Sequence, residues 1–138
     1  MGQSKLLNYI VRNNEGKRMI FADIPALTYE REKYVNTLKK LSEASREMDV
    51  PLIATFTVPR SVEEREDKRP TLADLGEAGE IADYAICVYR DYYYNSEKYD
   101  YNKNLGDLET ELIVVKRDGK IVHEIIVIEE NINEICNI

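Results

Sequence analysis

The side chains of this sequence that could do chemistry fall in four places. Met19-Ile20-Phe21-Ala22-Asp23 is an apolar run closed by a carboxylate, the form in which a strand end helps to hold magnesium beside a phosphate. A carboxylate that only ends a strand at a turn has the same form. Arg60, Arg65, Lys68 and Arg69 could meet phosphates, but Glu63, Glu64, Glu66 and Asp67 are interleaved with them and bring the net charge close to zero, as in a solvated loop. Tyr92, Tyr93, Tyr94, Tyr99 and Tyr101 supply rings that could stack on bases, build a protein-binding patch or pack on one another. Lys116 and Arg117 are adjacent cations beside Asp118-Gly119; on a strand they point to opposite faces unless a bulge intervenes.

Other chemistries are set aside by inventory. His123, the single histidine, alternates with Val122 on an apolar run and has neither a nucleophile motif nor a metal-spaced partner, so no metal site is expected. There is no Gly-x-Ser-x-Gly, Cys-x-x-Cys or Gly-x-Gly-x-x-Gly. A phosphate-cradling loop needs Gly, four residues, then Gly-Lys-Ser/Thr; Gly16-Lys17 and Gly119-Lys120 both lack the earlier glycine and the following hydroxyl.

The elements that must position these residues can be read from periodicity. Leu6, Leu7, Ile10 and Val11 predict a short helix over roughly 3–13, stopped by Asn13-Asn14-Glu15-Gly16. Met19–Asp23 predicts a buried strand. Tyr34, Val35, Leu38, Leu41 and Met48 mark one helical stripe from Thr28, a plausible N-cap, to Asp49, which ends the helix. Residues 51–57 predict a second strand and complete a strand, helix, strand crossover. Residues 59–71 read as a long solvated loop, 72–82 as a helical stretch interrupted by glycine, and 84–89 as a third strand. Residues 90–109 read as an exposed, tyrosine-rich excursion. Residues 111–115 and 121–128 form an antiparallel hairpin around Asp118-Gly119, which suits a type I′ turn.

The 138 residues carry 43% apolar and 33% charged side chains, enough apolar content for a packed core. Cys87 and Cys136 exclude a disulfide scaffold and are expected to be reduced, in a cytoplasmic protein with no apolar run of membrane-spanning length or secretory leader. The net charge of -7 argues against a general polyanion binder; residues 1–70 hold 13 basic and 11 acidic side chains, so any nucleic-acid contact belongs there.

The assembled pattern resembles the DnaB-type replicative helicases, specifically their RecA-like C-terminal motor domain. The run VPLIATFTVPRSVEEREDKRPTLADLGEAG, residues 50–79, is similar to that family's strand, its Arg-Ser-Val-Glu-x-Arg loop, its Asp-Lys-Arg-Pro and its Asp-Leu-x-Glu-x-Gly. ADYAICVYRDYY, residues 82–93, resembles the next strand with Tyr-Arg-Asp, and LIVVKRDG, residues 112–119, the late strand and its basic turn. KLLNYIVRNNEGKRMIFADIPAL fits the helix and Walker B strand. The resemblance implies an α/β fold: a single truncated RecA-like domain over 1–138, with a roughly five-stranded mixed sheet, a parallel centre, a C-terminal antiparallel hairpin and flanking helices.

It also implies roles. Asp23 would be the Walker B carboxylate, Thr57 the position where the family carries a γ-phosphate-sensing glutamine, and Lys116 with Arg117 a shortened form of the Lys-x-Arg pair projected into a neighbour's ATP site. Glu77 and Gly79 fall on the DNA-contacting loop, where the family's Arg-Glu-Ser-Gly is here Gly76-Glu77-Ala78-Gly79 followed by Glu80, which weakens phosphate contact. The family uses ATP and magnesium. Since the Walker A loop and its following glutamate are not among these residues, no cofactor is expected, and a degenerate domain acting through protein partners or self-association follows. A single-stranded DNA-binding module using Arg60, Arg65, Lys68 and Arg69, and an ATP site completed by another chain, are the two alternatives; beside the preferred reading, DNA contact is expected to be weak. No membrane contact is expected.

Overall fold

The computed structural model describes residues 8–14, 17–24, 31–99 and 108–130. The chain divides into two compact units, Met1–Pro59 and Arg60–Ile138.

In the first unit, β1 (Asn8–Asn14) and β2 (Lys17–Ile24) pair antiparallel, and β2 pairs in parallel with β3 (Leu52–Phe56) after the crossover helix α1 (Arg31–Glu47). Ile20, Ala22 and Ile24 alternate onto one face and are buried, as are Tyr34, Val35 and Leu38 of α1. Met48, expected on the same stripe, is half exposed because α1 has already ended. Asp49 adopts a left-handed φ of 53°, and the Val50 and Asp49 N–H groups donate to the Ser45 and Arg46 carbonyls at 2.9 and 3.2 Å. That is a Schellman closure with aspartate where glycine is usual. The Thr28 cap lies outside the described residues.

The expected N-terminal helix is not formed over residues 8–14, which are β1. Asn-Asn-Glu-Gly stops a helix, but it equally marks a hairpin, and register places Asn14 opposite Lys17. Pairing with the apolar strand β2 gives this segment a register partner at every residue and backbone hydrogen bonds at alternate ones, whereas an isolated helix this short is marginal.

In the second unit, a 3-10 turn (Arg60–Glu64) leads to α2 (Leu72–Leu75) and α3 (Glu77–Ile81), then β4 (Ala85–Tyr89), α4 (Asp91–Tyr94), a 3-10 turn (Ser96–Lys98), β5 (Leu108–Arg117) and β6 (Lys120–Glu130). The expected glycine interruption is Gly76, with φ 55° and ψ -136°, a conformation that favours glycine. The terminal hairpin is as expected: Arg117 pairs with Lys120, and Asp118 and Gly119 have φ of 49° and 73°, the two positive values of a type I′ turn. Ala85, Cys87 and Tyr89 of β4 with Ile113 and Val115 of β5 form the core, packed by Leu72, Leu75, Ala82 and Tyr94.

The chain is therefore α/β with a parallel strand pair and a C-terminal antiparallel hairpin. Its described strands form two three-stranded sheets, β1-β2-β3 and β4-β5-β6, instead of one sheet of about five strands. Periodicity identifies a strand but not its neighbour: β4 takes β5 as its antiparallel partner.

Candidate functional site

Residues 59–71 were expected to be a solvated loop, and with the expected helical turn that follows they instead form a clasp over 60–75. Val62, 1% exposed, anchors the 3-10 turn. Three residues later, Arg65 reaches Asp74 with both guanidinium nitrogens, at 3.2 and 2.9 Å, and donates to the Arg69 carbonyl at 3.0 Å. Burial pushes the Asp74 carboxyl up, but donation from the Thr71 backbone N–H at 2.7 Å and from Arg65 outweighs it and holds the group below the usual carboxylate range. Arg69 forms a fork with Glu111 on β5, two bonds of 2.7 Å, and lies 4.6 Å over the Tyr89 ring. Bonding to Glu111 raises the Arg69 pKa further, and the backbone N–H of Arg69 lowers that of Asp67. Lys68 Nζ donates to the Glu63 and Arg65 carbonyls at 2.6 and 3.2 Å. Arg60 is exposed on the first residue of the turn.

The clasp borders a cleft of about 390 Å³ lined by Glu66, Asp67, Arg69, Tyr89, Asp91, Asn95 and Lys98. Its other wall is the tyrosine segment, which was expected to be an exposed excursion and is instead organised around Asp91. That carboxylate accepts from the Tyr89 hydroxyl at 2.8 Å, Asn95 Nδ2 at 2.7 Å and the Tyr99 hydroxyl at 2.8 Å. The Tyr89 bond first, with Tyr99 and Asn95, lowers its pKa despite burial, and in return burial together with Asp91 pushes Tyr89 up to about 12. Tyr89 stacks on Tyr94 at 5.7 Å, Tyr94 meets Tyr93 edge-on at 5.1 Å, and Tyr92 meets Tyr99 edge-on at 6.4 Å. Of the named tyrosines among the described residues, Tyr93 is the one that faces solvent, at 71%. Tyr101 lies outside the described residues.

The remaining candidates are spread over both units. Asp23 sits one residue before the end of β2, opposite Thr55 in the parallel register, and accepts its hydroxyl at 2.7 Å. With Thr57, exposed just past β3, these groups mark the carboxyl ends of the parallel pair, where α/β sheets place ligands. Lys116 and Arg117 both follow a bulge, since the β5 register slips between Val114 and Lys116 and Ile113, Val114 and Val115 are buried in succession, but none comes between them: they pair in regular register with Ile121 and Lys120. Lys116 Nζ closes the end of α3 on the carbonyls of Gly79 and Glu80 at 2.9 and 3.0 Å, while Arg117 pairs with Glu124 on β6 at 2.6 Å. Gly79 is buried, and a Cβ there would lie 2.9 Å from Leu72 Cδ1 and 3.1 Å from Leu75 Cβ, so it serves helix packing; Glu77 is exposed. Tyr84 donates to Asp118 at the turn. Burial raises the Cys87 thiol to about 11, which leaves it unreactive. Among the described residues no His, Cys, Asp or Glu cluster could hold a metal, and no helix is long and apolar enough to cross a membrane.

Sequence reasoning missed Glu111, Asp74 and Asp91, the acceptors that organise this site. Their partners lie 42, 9 and as many as 8 positions away, and only the Tyr-Arg-Asp run drew attention to any of them.

Residues 18–137 match the family model described as the DnaB-like helicase C terminal domain. The chain belongs to this family. It is 38% identical over 95 residues to the replicative DNA helicase DnaB of Geobacillus stearothermophilus, covering 66% of this chain and 20% of that protein. To a probable replicative DNA helicase of Trieres chinensis it is 46% identical over 88 residues, 60% of this chain and 18% of that protein. The match to DnaB of Buchnera aphidicola subsp. Acyrthosiphon pisum is 33% over 122 residues, 81% of this chain and 26% of that protein. The chain thus spans about a fifth to a quarter of the length of these relatives. The clasp is the structural content of the DnaB-like Arg-Ser-Val-Glu-x-Arg and Asp-Lys-Arg-Pro run.

Proposed function

We propose that this DnaB-like helicase domain works in DNA replication or a mobile element by associating with protein chains, itself included, and does not hydrolyse ATP on its own. One observation carries the reading. Arg65, Lys68, Arg69 and Lys116, cations offered for DNA or for a neighbour's nucleotide, are bonded to this chain's own carboxylates and carbonyls, while Ile86, Val88, Ile121, Ile125, Ile126, Val127 and Ile128 are 44–78% exposed. The 138 residues also contain no Gly-x-x-x-x-Gly-Lys-Ser/Thr cradle. Cys87, buried and unpaired, suits a reducing cytoplasm. Titration of Mg-ATP into the purified chain by calorimetry is expected to give no heat, and sedimentation to show association; micromolar ATP binding by a strict monomer would overturn the reading.

A second reading rests on Asp23 and Thr57 at the carboxyl ends of the parallel strands. On that reading Asp23, and separately Lys116 and Arg117, are contributed to ATP sites completed by another polypeptide. ATPase activity would then appear only on adding the complementary chain, and Asp23→Asn would abolish it. DNA contact through Arg60 is expected to be weak beside a net charge of -7.

A further inference from the structure

Asp118-Gly119 is the sole Asp-Gly pair in the 138 residues, and there is no Asn-Gly. An aspartate before glycine is open to a reaction of its own backbone, because glycine has no Cβ to screen its amide nitrogen. That nitrogen attacks Asp118 Cγ: a C–N bond forms, the amide proton is lost, and the side-chain oxygen leaves as water. The product is a cyclic succinimide. Water then reopens the ring at one of its two carbonyls, either restoring aspartate or leaving isoaspartate, whose main chain runs through Cγ. The sequence of steps needs water and nothing else.

Both residues are exposed, and nothing lies within 4 Å of a Cβ built on Gly119, so exclusion of water does not protect the turn. The fold holds the two reacting atoms apart in other ways. Ring closure needs Asp118 Cβ and the Gly119 nitrogen eclipsed about the bond between Cα and the carbonyl carbon. A type I′ turn, identified by φ of 49° and 73°, sets that ψ at about +30°, far from eclipsed. The Gly119 N–H donates to the Asp83 carbonyl at 3.0 Å, so the nitrogen cannot rotate toward Cγ without breaking that bond. The Asp118 carboxylate in turn accepts the Tyr84 hydroxyl at Oδ1. Asp83 and Tyr84 are neighbours just before β4, and between them they hold the nucleophile and the carbon it must reach.

We propose that Asp118-Gly119 is an isoaspartate-forming modification site kept closed by Asp83-Tyr84, with the Tyr84 hydroxyl as its latch. Tyr84 is 57% exposed, so the latch opens by local fluctuation and leaves the β4 and β5 core intact. Conversion lengthens the main chain of the turn by one carbon, which ends the type I′ geometry that sets Lys120 opposite Arg117. The site is independent of whether the chain associates.

The test ages the purified full chain at neutral pH in isotope-labelled water and maps it by mass spectrometry, since each ring opening leaves a solvent oxygen on residue 118. Conversion is expected to run at least about tenfold slower in the native chain than in the same chain held in denaturant, and Tyr84→Phe is expected to raise the native rate several-fold with the thermal transition retained. Asp118→Ala supplies the blank. Hydrogen exchange at the Gly119 amide is a second readout on the unmutated chain, expected to show protection despite the exposure of the residue. Equal conversion in native and denatured chains overturns the closed site, as does an unprotected Gly119 amide. Absence of conversion in denaturant overturns the site itself. A folded Tyr84→Phe chain that converts at the wild-type rate overturns the latch; if that variant does not fold, the native-to-denatured ratio and the amide exchange still decide, because neither uses a variant.

Discussion

Gly79 and Gly119 show two different reasons for the same residue. At Gly79 the obstacle is space: Leu72 Cδ1 can swing away from an added methyl, but Leu75 Cβ at 3.1 Å and the Leu72 carbonyl at 3.3 Å cannot. Gly79→Ala is expected to cost about 1–2 kcal/mol net of its helix-propensity gain, read as a lowered denaturation midpoint. Around Gly119 nothing lies within 4 Å, and the obstacle is its φ of 73°, so Gly119→Ala is expected to cost about 1 kcal/mol with unchanged packing. Arg69 and Glu111 form the other test at this scale. The fork is bidentate but Arg69 is 37% exposed, so a double-mutant cycle with Arg69→Ala and Glu111→Ala should give a coupling of about 1 kcal/mol. Arg69→Lys should recover little of it, because an ammonium cannot make the fork or lie flat over Tyr89.

The ends of α1 and α3 and the turn between β5 and β6 each depend on an identifiable group. α1 stops at Asp49, whose left-handed φ of 53° is strained relative to glycine. Asp49→Gly is therefore expected to stabilise the chain by about 0.5 kcal/mol, measured by denaturant unfolding, with the two closing backbone bonds kept. α3 ends on the Lys116 ammonium, a contact that uses the bulge in β5 to turn Lys116 toward the helix. That placement could not be read from the adjacent Lys-Arg pair, since alternation predicts that the two side chains diverge but neither the bulge before Lys116 nor the α3 carbonyls it meets. The type I′ turn could be read, because Asp-Gly is among the few dipeptides that tolerate two positive φ values in succession.

Across the whole molecule, stability should have a plateau with two edges. Asp74 and Asp91 have folded pKa values below their unfolded ones, so their contribution is present above about pH 4 and is lost as pH falls through the lower folded values. Tyr89 is raised to about 12, so its contribution is complete below about pH 10 and is lost as pH rises from there to 12. Thermal unfolding followed by circular dichroism should therefore weaken in both ranges, and Tyr89→Phe should flatten the alkaline edge.

Local sequence determined what local chemistry can determine. The crossover α1 between β2 and β3, the glycine break at Gly76, the stop at Asp49 and the hairpin at Asp118-Gly119 each depend on residues within a few positions, through periodicity, a positive φ or a turn preference. The DnaB-like motifs were legible for the same reason, as contiguous strings. Tertiary structure decided the partners. It paired residues 8–14 with β2 as a strand, split the strands between two sheets, and turned an apparently solvated loop into a clasp by bringing Glu111 to Arg69 across 42 positions. It likewise turned the Tyr89 and Tyr99 hydroxyls onto Asp91. A charged or aromatic side chain has the same local preferences whether it meets water or a distant partner, and only the packed chain supplies the partner.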